Sequence, residues 1–265
     1  MTIVFLHGFL GSPLNWGPII NLVRNRKLNL KGWKQIEFAA RSLLWHDSGA
    51  RDDYLTEMSG LEKLMVEDML DQISDLKSVI LVGHSFGFRI ALQVCNRLPE
   101  TVKGLVCVDA SPEISQKSCS FIRQILNDPA LPFESRKQAK EHFENKYSGD
   151  VSMARFLMSN MRKNSEGKIS WRFPEQILSE LIVQASDQPL WEEWRQLSVP
   201  VVCIAGGNFD SHLSLELAEK MTKECPQPIQ VKRIKDAGHW VHSDQPHLFV
   251  EDLISSLEFI GSWQS

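Results

Sequence analysis

Short segments of strand length alternate with amphipathic segments along most of the chain. The predicted strands are residues 2–6, 35–39, 79–82, 104–108, 199–204 and 229–234. Several of them are unbroken apolar runs, a pattern typical of strands buried on both faces of a parallel sheet. Between the strands, apolar residues recur at helical spacing, for example at Leu55, Met58, Leu61, Met65, Met69 and Ile73.

The alternation of strands and helices predicts an α/β fold with a doubly wound, mostly parallel sheet. The central part of the chain departs from it, because strand-like runs give way to charged helical segments at 136–147 and 151–162. We therefore predict a core built from residues 1–112 and 195–265. Residues 113–194 are expected to form an inserted helical cap over the carboxyl edge of the sheet, where ligands bind in such folds.

Composition narrows the range of partners. The chain has 265 residues and a formal net charge of −4, which gives no electrostatic reason to expect nucleic acid. No apolar run has the length of a bilayer span, and the first strand starts without a signal-like segment. We expect a cytoplasmic protein that acts on a small molecule and not on a membrane, with its oligomeric state left open. The five cysteines show no CxxC spacing, so no metal site is expected. No organic cofactor is expected either, because the serine, histidine and acid described below would supply the nucleophile and the proton shuttle themselves.

The strongest chemical signal is the pattern Gly83-x-Ser85-x-Gly87 at a predicted strand-to-helix joint. A nucleophile on so sharp a turn needs small flanking residues, because side chains there would strike the neighbouring strand or helix. Ser85 is therefore the candidate nucleophile. The amide of Phe86, at the start of the helix, would face an oxyanion that forms beside it.

Two acids and one histidine follow at predicted strand ends. The chain order Ser85, Asp210, His239 is nucleophile, acid, base, with room for one helix and one strand between the last two. His239 would accept the proton of Ser85, and a carboxylate would fix its tautomer. Asp210 is the first candidate for that carboxylate. Asp109 also ends a strand, so the choice between the two acids stays open.

The loop after the first strand provides a second group of candidates. His7 and Gly8 stand where the strand ends, and Gly8 lets the backbone come close to a ligand. We expect the amide of Phe9 to be the second oxyanion donor and His7 and Gly8 to lie beside the substrate. The alternative for His7 is a hydrogen bond within the loop.

Motifs across nearly the whole chain resemble the α/β-hydrolase superfamily. They are HGFLGS with Trp16, GHSFG, VDASP and AGHWVH. Two subgroups fit in part. Small YbfF-type bacterial esterases and their mitochondrial relatives are similar around Gly206-Gly207-Asn208, and this resemblance implies that Asp109 is the acid.

The second subgroup is the menaquinone-pathway synthase that eliminates pyruvate to form 2-succinyl-6-hydroxy-2,4-cyclohexadiene-1-carboxylate. The stretch 85–92 resembles it, which implies that Asp210 is the acid and that Arg89 holds a substrate carboxylate. Its aromatic-rich cap signature is not evident in this chain. We therefore expect a serine hydrolase acting on a small ester or thioester, with the lyase reaction as the alternative.

Overall fold

The computed structural model describes residues 1–26, 33, 35–46, 59–208 and 210–263. The chain forms two compact units, of which the first comprises Met1–Leu43, Lys63–Glu113 and Pro189–Ser265, and the second comprises Leu44–Glu62 and Ile114–Gln188. Leu55 and Met58, assigned from sequence to a helix, lie outside the described residues.

The first unit is built on a six-stranded sheet. Its strands, numbered along the whole chain, are β1 Thr2–Leu6, β2 Glu37–Arg41, β3 Val79–His84, β4 Val102–Val108, β7 Val201–Gly206 and β8 Ile229–Ile234. The strand order is β2-β1-β3-β4-β7-β8, and every neighbouring pair is parallel. The prediction of a doubly wound parallel sheet is confirmed. β2 begins two residues later than predicted because its register with β1 pairs Glu37 with Thr2.

Helices connect these strands. They are α1 Gly17–Arg24, α2 Leu61–Gln72, α3 Phe86–Arg97, α8 Trp191–Arg195, α9 Leu215–Glu224, α10 Val241–Asp244 and α11 Pro246–Ser262, with one 3-10 turn at Pro13–Trp16. Among the described helices, none combines the length and the apolar character that crossing a bilayer requires.

Within the described residues, the second unit contains four helices and a small hairpin. These elements are α4 Gln116–Leu126, α5 Arg136–Lys146, α6 Val151–Ser159, α7 Glu175–Asp187, β5 Met161–Lys163 and β6 Ile169–Trp171. The antiparallel β5–β6 pair was not predicted, and the helix expected over 151–162 ends at Ser159. The side-chain amide of Asn160 donates to the carbonyl of Phe156 at that helix end, and Met161 then pairs with Trp171.

The hydrophobic core of the first unit lies between the sheet and the helices α1 and α11. Along α11, apolar residues at helical spacing are buried: Phe249, Val250, Leu253, Leu257 and Ile260. This spacing places them on one helix face, which packs against the sheet. Burial of that face is a main source of stability for the first unit.

The chain leaves the first unit after β4 and re-enters it before α8 at one place. The amide of Leu190 donates to the carbonyl of Pro112 at 2.7 Å. The indole N–H of Trp191 donates to the Glu113 carboxylate at 2.7 Å, and the Lys220 ammonium lies over the Trp191 ring. The residues at which the chain leaves the first unit and those at which it re-enters are therefore hydrogen-bonded to each other.

A buried histidine belongs to the core of the first unit. His242 stacks on Trp16 with ring centroids 4.5 Å apart, and its Nδ1 has no hydrogen-bond partner among the described residues. Burial, reinforced by the neighbouring His239, lowers the pKa of His242 to about 3. His242 is therefore neutral at physiological pH.

Topology determines where ligands can reach the sheet. β1 is followed by a connection to the edge strand β2, and β3 by a connection toward β4 on the opposite side. Adjacent strands whose connections diverge leave a crevice at their carboxyl ends, which is the usual ligand site of open α/β sheets. The loop after β1 and the turn after β3 therefore lie where a ligand is expected to bind.

We predict that Leu253→Ala lowers the free energy of unfolding by about 2–5 kcal/mol, the cost of emptying a fully buried site. Leu248→Ala on the same helix is the matched control. Leu248 is 46% exposed, so we expect a loss below about 0.5 kcal/mol. Urea unfolding of the three proteins measures both values. Equal losses would contradict the assigned orientation of α11.

We predict that His242→Phe makes stability less sensitive to acid. Unfolded His242 binds a proton near pH 6.5 and the folded residue only near pH 3, so lowering the pH through this window favours the unfolded chain. The wild type should therefore lose up to about 1.4 kcal/mol more per pH unit than the variant. Phenylalanine keeps a flat ring against Trp16. Urea unfolding between pH 7 and pH 5 measures the two slopes, which should differ.

Candidate active site

The turn after β3 holds Ser85 in a strained conformation. Its backbone has φ 50° and ψ −118°, outside the regions that most residues with side chains adopt. Ser85 is the residue before α3, and its amide donates to the carbonyl of Val108 at 3.0 Å. The first amides of a helix lack partners within the helix, so the Phe86 N–H stands next to Ser85 at the positive end of α3.

The glycines on either side of Ser85 permit close packing of this turn. A Cβ atom on Gly87 would lie 2.5 Å from the carbonyl oxygen of His7, and one on Gly83 would lie 2.5 Å from the Cα of Phe88. Both distances are far shorter than real contacts allow. The G-x-S-x-G pattern therefore reflects backbone contact between β1, β3 and α3.

Asp109 follows β4 and is the most enclosed charged group at this edge. Its backbone is also left-handed, with φ 46°, and its side chain has no exposure to solvent. The carboxylate accepts hydrogen bonds from the Gly206 amide at 3.1 Å, the Ser211 hydroxyl at 2.5 Å and the His212 amide at 2.8 Å. Burial by itself raises the pKa of Asp109, but the hydrogen bonds outweigh it and the pKa lies below its ordinary value. Asp109 is therefore a carboxylate at neutral pH.

His239 lies in the loop between β8 and α10 and bonds to Asp109. Its Nδ1 is 2.9 Å from Oδ2 of Asp109, and its side chain is 15% exposed. Because a carboxylate accepts at Nδ1, the proton of the neutral ring is on Nδ1 and Nε2 keeps its lone pair. The arrangement can therefore accept a proton at Nε2 and stabilise the resulting positive charge.

Asp210, the other acid named from sequence, takes a different position. It is exposed, and its carboxylate lies against the backbone of Gly238, so that a Cβ on Gly238 would collide with it. The His239 ring donates its Nδ1 hydrogen bond to Asp109 and not to Asp210. Both acids thus lie near the histidine loop, but they differ in burial and in contact with the ring.

The loop after β1 passes beside Ser85. A Cβ on Gly8 would lie 3.2 Å from the Cβ of Ser85, and the rings of Phe9 and Phe86 meet edge to face at 5.0 Å. The amide of Leu43 donates to Nε2 of His7, and Nδ1 of His7 therefore donates to the carbonyl of Gly8. The loop that carries Phe9 is in this way fastened to the loop after β2.

His84, the last residue of β3, contacts the loop that carries His239. Its Nε2 donates to the main-chain oxygen of His239 at 2.9 Å, and the two rings are 4.7 Å apart. Burial and then the neighbouring His239 and His242 lower the pKa of His84 well below its ordinary value, against that hydrogen bond. His84 is therefore neutral and acts as a hydrogen-bond donor within the site.

Arg89 lies inside the protein. Its side chain is on α3, only 1% of the residue is exposed, and Nη1 donates to the carbonyl of Pro112 at 3.0 Å. Phe88, its neighbour, is also fully buried and packs against Trp194 with ring centroids 6.1 Å apart. Through this hydrogen bond, the Arg89 guanidinium helps to hold the segment that follows β4.

Two further residues of the site were missed in the sequence. Ser211 and His212 follow the end of β7 and both donate to Asp109. A hydroxyl and an imidazole directly after a predicted strand-end acid were the available signal. Within the described part of the chain, no three potential metal ligands come together in a group that could hold an ion.

Comparison with known proteins shows which family the chain belongs to. Residues 3–252 match the Alpha/beta hydrolase family. The sn-1-specific diacylglycerol lipase ABHD11 of Xenopus laevis is 28% identical over 265 residues, which cover 97% of this chain and 79% of the relative. A putative esterase/lipase of Haemophilus influenzae is 27% identical over 254 residues, which cover 94% of this chain and 80% of the relative.

A solved structure of a marine microorganism esterase has the same fold. It aligns with a TM-score of 0.76 at 21% identity, over 96% of this chain and 94% of that one. Because the family match extends over most of the chain, the protein belongs to the Alpha/beta hydrolase family and is an α/β-hydrolase enzyme.

Proposed function

We propose that the enzyme is a serine hydrolase that cleaves a small carboxylic ester or thioester through an acyl-enzyme. Ser85 is the nucleophile, His239 the general base and Asp109 the acid. The observation that carries the proposal is the hydrogen bond between His239 Nδ1 and the buried Asp109 carboxylate, formed one strand away from the strained turn of Ser85.

In the first half-reaction, Ser85 Oγ attacks the carbonyl carbon of the substrate while Nε2 of His239 takes the hydroxyl proton. The negative charge of Asp109 stabilises the imidazolium that forms. The carbonyl oxygen becomes an oxyanion and accepts hydrogen bonds from the amides of Phe9 and Phe86. Collapse of this intermediate expels the alcohol or thiol, which receives the proton from His239.

In the second half-reaction, water replaces the leaving group. His239 removes a proton from the water as its oxygen attacks the acyl carbon, and a second oxyanion forms on the same two amides. Breakage of the bond to Ser85 Oγ returns the proton to the serine and releases the carboxylic acid. Apart from the substrate and water, neither half requires a group from outside the chain.

The lyase alternative stays a prediction and is the less favoured reaction. It requires cationic groups that meet a polyanionic substrate, and Arg89 was the candidate named for that role. The burial of Arg89 and its bond to Pro112 support a structural task for that side chain. Release of pyruvate from the synthase substrate, measured at high enzyme concentration, would instead favour the lyase.

We predict that Ser85→Ala reduces hydrolysis of p-nitrophenyl acetate and butyrate by roughly 10⁶-fold, because no acyl-enzyme can form. A fluorophosphonate probe should label the wild type and fail to label this variant. Ser74→Ala, at an exposed serine in the described chain, is the control and should keep full activity and labelling. Turnover that survives in Ser85→Ala would rule out the acyl-enzyme.

We predict that Asp109→Asn lowers kcat by about 10⁴-fold, because an amide can hold His239 in the wrong tautomer. The paired variant Asp210→Asn changes an exposed acid in the same part of the site and should stay close to the wild type. Steady-state kinetics with the same esters measures both. A large loss in Asp210→Asn with little effect in Asp109→Asn would assign the acid to Asp210.

A further inference from the structure

A second imidazole lies flat against the ring of the proposed general base. The rings of His212 and His239 have centroids 3.6 Å apart and planes inclined by 23°, the geometry of a stacked pair. His212 is exposed, whereas His239 is 15% exposed. The stacked His212 ring therefore covers one face of the His239 ring and lies between that face and solvent.

The position of His212 is set by the same carboxylate that holds His239. Its main-chain N–H donates to Oδ2 of Asp109 at 2.8 Å, and Nδ1 of His239 is 2.9 Å from that oxygen. The segment continues to Leu213, whose carbonyl accepts from Arg233 at 2.8 Å. The Asp109 carboxylate thus holds the main chain of His212 and the ring of His239 at one point.

A single hydrogen bond leaves an imidazole some freedom. With Nδ1 bonded to Asp109, the ring of His239 can still rock about that bond, and rocking moves Nε2 away from the serine. The other rings near it are tilted and more distant: His84 at 4.7 Å and Trp240 at 5.9 Å. The parallel face of His212 is the contact that opposes this motion most directly.

We propose that His212 is a positioning residue, whose stacked ring holds the plane of His239 so that Nε2 stays directed at Ser85. The effect on rate rests on the proposed function, whereas the effect on the His239 ring does not. His212 acts through its flat face, so an aromatic ring without nitrogen atoms can take its place. Its main-chain bond to Asp109 is kept in every side-chain variant.

The kinetic test compares His212→Ala with His212→Phe on the ester substrates. We expect His212→Ala to lower kcat about 10-fold with KM unchanged, because the lost contact acts on proton transfer and not on substrate binding. His212→Phe should recover most of that loss. His247→Ala, at an exposed histidine of α11, is the control and should leave kcat unchanged.

A second measurement separates this inference from the proposed reaction. In protein labelled with ¹⁵N-histidine, the Nδ1–H proton of His239, bonded to Asp109, should give a resonance that exchanges slowly with water. We expect faster exchange in His212→Ala and wild-type behaviour in His212→Phe, with unchanged melting temperatures in both. The result does not depend on ester turnover, so it decides the role of His212 even in an enzyme inactive on these esters.

Two outcomes would overturn the inference. One is a His212→Ala variant whose kcat and Nδ1–H exchange both match the wild type. The other is a His212→Phe variant as impaired as His212→Ala in both measurements, since the nitrogen atoms and not the stacked face would then be required.

Discussion

One buried negative charge determines how the carboxyl edge of the sheet is organised. Removing a carboxylate from water costs several kcal/mol unless hydrogen bonds replace the lost solvation. Asp109 receives those bonds from segments that are far apart in sequence: the last residue of β7 with the residues that follow it, and the loop after β8. The acid is satisfied only when β4, β7 and β8 lie in their observed order. The placement of His239 therefore depends on the correct pairing of these three strands.

Backbone strain is concentrated at the same edge. Ser85 and Asp109 follow neighbouring strands, and both have left-handed backbones, with φ 50° and 46°. Such conformations cost about 1–3 kcal/mol each, and they persist only where the surroundings hold them in place. The surroundings here are the fully buried strands β3 and β4 and the close backbone contacts at Gly83 and Gly87. The apolar core thus supports a backbone geometry that a short peptide would not adopt.

Local patterns in the sequence predicted the strands and turns that depend on neighbouring residues alone. β1 and β8 match their predicted ranges, and the turn at Ser85 follows from two glycines between a buried strand and an amphipathic helix. The choice between Asp109 and Asp210 could not be made locally, because both follow strands, and their difference in burial depends on lateral strand order. The β5–β6 hairpin is too short for periodicity to reveal it. Likewise, nothing in the sequence of α3 shows that Arg89 turns inward to Pro112.

The fastening of Leu190 to Pro112 has a consequence for how such enzymes diversify. A segment that leaves and returns through adjoining, hydrogen-bonded positions can change in length without moving the ends of the chain to which it is joined. Segments of other lengths and compositions can be grafted between these two points while the register of β4 and β7 is kept. Recombination at this junction would exchange the segment between β4 and α8 and leave Ser85, Asp109 and His239 in place.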